Sequence, residues 1–524
     1  MKLKPYHCVT GLIVFFFSIS ISKSQIKPGD TLKFWSVAYI DWSPPSPPAQ
    51  RQITAVCKKI GVNCYLFFDT TYEQEYKPNI ADSLVSLYDT FIFPKLSSLY
   101  YPVSIGIDND PKVFLLVTYG DGIWAGYFDP VQGMPDTMTK RLWNRHSSER
   151  DIIYTYKDQW ENANIISHET CHLIEWGQDH SPEPISHPLT YWEEPWISEV
   201  FSTFGENYLH DDLSIKNVAH KTTSPSNDLS LIYFDEYEMR FIWGNFMYEH
   251  YGKESFLRLL LHDQANGITS VRNTLKTLGY KQSFEETFEE FVVANFIDDN
   301  TYLNGKYGYF HYNFKTLPNL FRILQPHDTI PVSTVIGDVR PYSAKYITFT
   351  STTFMPIMIH FNGADNSKFR LSFILYNSKT NSTHAVNSFI PDSSNDFDYI
   401  VDSLGSAFYD QVIMAVINVD SSLSETQTAT FNYSASKHNS TSDLTVKPSV
   451  NVNPNPATDF IMLNLNHFSG NSDLSIYNLL GNEIHHQSVN ASRVKIDISS
   501  LPASTYFIYL KTKDNILIRK FLKN

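Results

Sequence analysis

The sequence is poor in charge, and poorest in positive charge. Only 18% of its 524 residues are charged, against about 25% in ordinary globular chains, and 41 Lys and Arg face 55 Asp and Glu for a formal net charge of -14. Loss of Lys2, Lys4 and Lys23 with a cleaved leader deepens that deficit. A chain without a cationic excess lacks the main source of affinity for a phosphate backbone, which excludes a nucleic-acid binder. Cysteine is scarce too: four residues in the whole chain exclude a disulfide-built scaffold. Long apolar runs are missing. The longest, Gly11 to Ser22, is about a dozen residues where a membrane span needs about 20.

What is present is a folded, exported chain. Apolar residues make up 42%, with 32 Tyr and 36 Phe, enough to fill large cores. At about 150 residues per domain the length leaves room for several. Residues 1–24 read as a signal peptide: Lys2 and Lys4 precede the apolar run, and Ser22-Lys23-Ser24 offers a small-residue exit. Cys8 lies before that run, so it is no lipid-modified cleavage cysteine. Cys57, Cys64 and Cys171 remain, and in an oxidising compartment Cys57 and Cys64 are candidates for a bridge.

The pattern of apolar residues divides the rest. Residues 25–159 alternate strand-like runs (Leu32 to Ala38, Cys64 to Asp69, Lys112 to Thr118, Asp151 to Tyr156) with a helical stretch around Ser83 to Phe93, a mixed α/β lobe. Residues 160–320 carry helical periodicity, with Gly177 and Gly252 placed where helices should stop. Short alternating runs over 330–435 predict a β-sandwich. A Ser/Asn/Lys-rich linker at 436–449 leads to a small all-β unit at 450–524.

The chemistry concentrates in His168-Glu169-Thr170-Cys171-His172, an H-E-x-x-H pattern in a helical segment. A spacing of four puts both imidazoles on one face, where they can converge on a zinc ion, with Glu169 beside them to take a proton from bound water. Ile166, Leu173 and Ile174 form the core-facing set of that helix. A catalytic zinc needs a third protein ligand and an open fourth position. Extending the motif to H-E-x-x-H-x-x-G-x-x-H would require a glycine three residues after His172 and a histidine three further on, but Glu175 and Gln178 stand there. The better candidate is Glu199, which shares a polar face with Ser202, Thr203 and Glu206 while Ile197, Val200, Phe201 and Phe204 form the apolar stripe. His180, His187, Glu193 and Glu194 are reserve ligands. Tyr237 is the candidate donor to the oxyanion formed in peptide hydrolysis. Asp108-Asn109-Asp110-Pro111 reads as an Asx turn, and no metal is assigned to it.

From about Ile53 to Asp299 the sequence resembles the gluzincin metallopeptidases, nearest their hyicolysin-type branch. The likeness runs through Gly106 to Asp110, Gly126-Tyr127-Phe128-Asp129-Pro130, the zinc helix, Trp196 to Glu199, Tyr251-Gly252 and Phe284 to Phe296. It implies an α+β zincin-like catalytic domain, with His168, His172 and Glu199 as zinc ligands, Glu169 as general base and Tyr237 at the transition-state position. Such families carry Asn-Glu-Gly around the third ligand, where this chain has Ser198-Glu199-Val200. The last segment resembles the type A sorting domain of the type IX secretion system of Bacteroidota, through Asn453-Pro454-Asn455-Pro456-Ala457, Tyr477-Asn478-Leu479-Leu480-Gly481, Ile496 to Pro502 and the basic end Arg519 to Lys523. That resemblance implies the secretion machinery as a partner and a secreted or outer-surface destination.

The sequence therefore predicts a secreted zinc metallopeptidase acting on protein or peptide, with no nucleic-acid partner and no transmembrane helix in the mature chain. A zinc hydrolase of non-peptide amides would use the same residues. The alternative from another class is an inactive surface adhesin or glycan-binding protein on a peptidase scaffold.

Overall fold

The computed structural model describes residues 25–37, 49–119, 125–179, 193–210, 229–233, 237–313, 324–438, 449–466, 472–479, 481–489, 493–511 and 516–524. Residues 1–24, read from the sequence as a signal peptide, and most of residues 436–449, read as a linker, lie outside them. The chain is multidomain and largely β-rich, and it divides into two units, residues 1–437 and 438–524. Among the described residues no helix is long and apolar enough to cross a membrane.

The first unit opens on a six-stranded sheet. Its strands are β1 (Thr31–Val37), β2 (Gln50–Ile60), β3 (Cys64–Asp69), β4 (Val113–Thr118), β5 (Gly126–Phe128) and β6 (Ile152–Tyr156), in the order β1-β2-β3-β4-β6-β5. The three central strands β3, β4 and β6 are parallel and buried on both faces, which is why they read as unbroken apolar runs. The short β5 pairs antiparallel with β6 and ends the sheet. Among the described residues three α-helices connect the strands: α1 (Pro78–Leu87), α2 (Phe93–Leu99) and α3 (Asp136–Trp143).

The proposed Cys57 to Cys64 bridge does not form. Both thiols are free and buried, and they sit on opposite faces of the sheet. Cys57 packs with Phe34, Phe67 and Phe114, whereas Cys64 packs with Leu66, Val113 and the helices. A sheet lies between them, so no rotamer joins the two sulfurs.

Among the described residues six helices follow: α4 (Ala163–Asp179), α5 (Pro195–His210), α6 (Tyr237–His250), α7 (Glu254–His262), α8 (Ile268–Thr277) and α9 (Phe284–Ile297). A reciprocal Ser283 and Glu286 capping box starts α9. Gly252, with φ of 114°, follows α6 as the stop signal requires. Gly177 does not stop α4, which continues to Asp179. Its glycine serves close approach: a Cβ there would lie 2.9 Å from the Ser104 Cβ, and the Ser104 hydroxyl donates to the Gly177 carbonyl at 2.8 Å.

Residues 324–437 form a two-sheet β-sandwich, with strands β7 (Leu324–His327), β8 (Val332–Val339), β9 (Ser343–Thr350), β10 (Met355–Gly363), β11 (Phe369–Asn377), β12 (Ser382–Phe389), β13 (Asp396–Leu404), β14 (Gln411–Asn418) and β15 (Ala429–Lys437). The sheets run β13-β10-β15-β8 and β12-β11-β14-β9-β7 around their own core. The other face of the five-stranded sheet is also buried. Tyr346, Tyr376, Ile413 and Ile417 join the cluster that contains Phe288, Val292 and Phe296 of α9. The Tyr346 hydroxyl donates to the Val292 carbonyl at 2.7 Å, and buried Glu289 of α9 pairs with Arg370 and accepts from Ser372 of β11. Helical lobe and sandwich therefore share one hydrophobic core.

The second unit, described by itself, is all β. Two sheets, of three and four strands, enclose a core of Ile461, Leu463, Leu474, Ile476, Ile508 and Phe521 among others.

Candidate functional site

The site grows out of the packing of α4 on α5. On α4, Ile166, Leu173 and Ile174 are buried as the stripe requires, and this rotation turns His168 and His172 toward α5. On α5, Ile197, Val200, Phe201 and Phe204 are buried on the opposite side. The face of Glu199, Ser202, Thr203 and Glu206 is turned to α4, with Ser202 and Thr203 buried and Glu199 and Glu206 partly buried. Cys171 meets Gly205 at the crossing, where a Cβ would fall 2.5 Å from its sulfur, so glycine sets how closely the helices approach.

Three ligand-type atoms converge there. The His168 Nε2 lies 3.3 Å from one Glu199 oxygen and the His172 Nε2 lies 3.7 Å from the other. One donor atom from each of His168, His172 and Glu199 falls within 4.8 Å of the other two, the group among the described residues placed to hold a metal ion. Burial pushes the Glu199 carboxyl up, but the two imidazoles, helped by Arg240, outweigh it and hold the group at about 2. Burial works against charge on His168 and His172 as well, yet carboxylates raise both above the usual imidazole value: Glu199 and Glu206 for His168, Glu199 and Glu175 for His172. The cluster is built to receive positive charge.

Glu169 stands beside this group without joining it. Its carboxyl is buried, and that burial raises its pKa against the opposing pull of the two histidines. The strand β5 runs alongside: the Phe128 backbone favours the charged carboxylate, and a Cβ on Gly126 would come within 3.7 Å of the Glu169 Cγ. That same Cβ would be 2.7 Å from Ile165 and from the Tyr154 carbonyl, so glycine at 126 lets helix and edge strand meet.

Of the other residues singled out in the sequence, Glu193 and Glu194 are committed elsewhere. Glu193 accepts the Gly267 amide at 2.6 Å and Glu194 accepts the Trp196 indole at 2.7 Å. His180 and His187 lie outside the described residues. Tyr237 is the first residue of α6, but its side chain is also outside them. Sequence reasoning left three contributors without a role. The Glu206 carboxylate lies 3.2 Å from the His168 Nδ1, and Ser198 lies 2.9 Å from the His172 Nδ1 while donating to Glu175. Each ligand-type imidazole thus has its outer nitrogen engaged, the arrangement that orients metal-binding histidines. The signal for Glu206 was its place seven residues after Glu199, two turns along the same stripe.

The Asp108 to Asp110 turn is an Asx turn: Asp108 accepts the Asp110 amide at 3.1 Å, and Asp110 accepts the Lys112 amide at 3.0 Å and the Tyr65 hydroxyl at 2.9 Å. Behind it Asp151 is pushed up to about 7 by burial and by Asp108, with the Gly106 backbone pulling the other way. The folded chain therefore holds this proton across the window from about 4 to 7 where an unfolded carboxyl has lost it, and stability falls as pH rises through that window. Asp151→Asn keeps an acceptor for Gly106 and removes the penalty. The variant is expected to melt higher than the parent at pH 8 and no higher at pH 4; equal gains at both values would contradict this.

Comparison with known proteins bears on the C-terminal segment of the chain. A profile described as a secretion system C-terminal sorting domain matches residues 451–524. The terminal β unit is thus a sorting domain: it engages the type IX secretion machinery, which delivers the chain to a secreted or cell-surface location. No curated protein matches the chain. Among solved structures it is similar to the pre-peptidase C-terminal domain of a collagenase from Bacillus anthracis, at 11% identity over 21% of this chain and 93% of that one, with a TM-score of 0.14. It is also similar to the adhesin domain of Epf from Streptococcus pyogenes, at 10% identity over 36% and 77%, with a TM-score of 0.13. Likenesses this weak carry no argument about fold or function.

Proposed function

We propose that the chain is an exported zinc metallopeptidase of gluzincin type, with zinc held by His168, His172 and Glu199. The observation that carries this reading is the convergence of two imidazole nitrogens and a carboxylate at 3.3 and 3.7 Å. One ligand atom from each of the three residues lies within 4.8 Å of the other two, whereas ligands bonded at about 2.0–2.2 Å to a tetrahedral ion stand about 3.3–3.6 Å apart, so the set reaches a zinc ion by a short inward movement of its side chains. Two histidines and a glutamate also leave a fourth position for water or substrate.

Zinc bound there would polarise the scissile carbonyl and lower the pKa of water. The remaining steps belong to the chain. Glu169, raised by burial and adjacent to the donor set, takes the proton of the attacking water and returns it to the leaving amine. An extended peptide finds a backbone partner in β5, which among the described residues is the last strand of its sheet and lies beside Glu169. Tyr237, at the head of α6, is the proposed donor to the oxyanion.

The test is a peptide-library digest with the purified chain, read by mass spectrometry. Cleavage that a chelator abolishes and added zinc restores is expected. Intact peptides in the presence of bound zinc would overturn the peptidase reading and leave hydrolysis of some other amide.

A further inference from the structure

We propose that Ser198 and Glu175 form a hydrogen-bond relay that positions His172. The inference rests on the reading of His172 as a metal ligand. Ser198 has a single hydroxyl proton, and it is donated to the Glu175 carboxylate, which only accepts. The serine oxygen 2.9 Å from the His172 Nδ1 must then be the acceptor, so the imidazole proton sits on Nδ1. In the neutral ring, the form that binds a metal, Nε2 then carries the lone pair on the side where Glu199 lies, 3.7 Å away.

Both partners are held rigidly. Glu175 is one turn beyond His172 on α4 and buried, and Ser198 precedes Glu199 on α5, so the relay ties the two helices that supply the donor set. Glu175 does not reach the imidazole by a direct hydrogen bond, since its oxygen is 3.7 Å from Nδ1. Serine is the necessary middle member. The sequence presented Ser198 as a departure and Glu175 only as a residue that breaks a longer zinc motif. Together they make one unit, in which the carboxylate dictates which way the serine proton points.

Zinc affinity of the full chain, measured by competition with a chelator, tests the relay without relying on activity. Ser198→Ala and Glu175→Ala are each expected to weaken binding about 10–100-fold, the usual loss when the partner of a ligating histidine is removed. In Glu175→Ala the freed hydroxyl can donate to Nδ1 and favour the tautomer that blocks Nε2. Adding Ser198→Asn to Glu175→Ala should restore affinity to within a few-fold of the parent, because the amide oxygen accepts from Nδ1 without help. A merely structural role for Glu175 predicts no such rescue. Parental affinity in both alanine variants, or a double variant as weak as Glu175→Ala alone, overturns the relay while the zinc site stands. A parent chain that holds no zinc overturns the site and the relay together.

Discussion

A Glu169→Gln chain is expected to keep its zinc and lose peptide hydrolysis by about 10²–10⁴-fold, the usual worth of a positioned general base. The substitution preserves shape, so the buried position between α4 and β5 remains filled. It removes only the ability to hold a proton. Because Glu169 is outside the converging set of His168, His172 and Glu199, metal content should change little. The readouts are kcat/KM on a cleaved peptide and zinc per chain for parent and variant. Undiminished hydrolysis would remove Glu169 from the chemistry, and loss of zinc would recast it as a ligand.

The second large effect concerns the β-sandwich. A chain ending at residue 320 is expected to be insoluble or to lack a cooperative melt, whereas one ending at residue 437 should fold. The shorter chain would expose the α9 face that Tyr346, Tyr376, Ile413 and Ile417 cover, and would strand the buried carboxylate of Glu289 without Arg370 and Ser372. A point variant isolates the ionic part. Arg370→Ala leaves Glu289 unpaired in the core and should cost about 3–5 kcal/mol, while Glu289→Gln with Arg370→Met should cost far less, because no charge is left behind. Thermal or denaturant midpoints of the 25–437 chain read both. A soluble, zinc-binding chain ending at residue 320 would show that the sandwich is dispensable to the fold.

What the sequence made legible was whatever repeats locally. The central strands appear as unbroken apolar runs because both of their faces are buried, and α4 and α5 appear through stripes that the core occupies. The convergence of Glu199 on the two histidines was reachable because spacing on each helix fixes a face, and chemistry then restricts which faces can meet. What stayed hidden was non-local. Nothing near Gly126 announces that a three-residue strand lies beside Glu169, since the reason for glycine there is a helix some forty residues on. The separation of Cys57 from Cys64 depends on strand register, and Gly177 looked like a stop although Ser104 explains it. Glu289 read as one acid among several in α9, because its partner Arg370 is on a strand of the β-sandwich.

X-ray absorption at the zinc edge of the purified chain reads the donor set itself. One zinc per chain is expected, bound by two imidazole nitrogens and a carboxylate oxygen with a further light atom, with loss of that signature in Glu199→Ala. A chain that carries no stoichiometric zinc, or a zinc spectrum unchanged by Glu199→Ala, would contradict the zinc site.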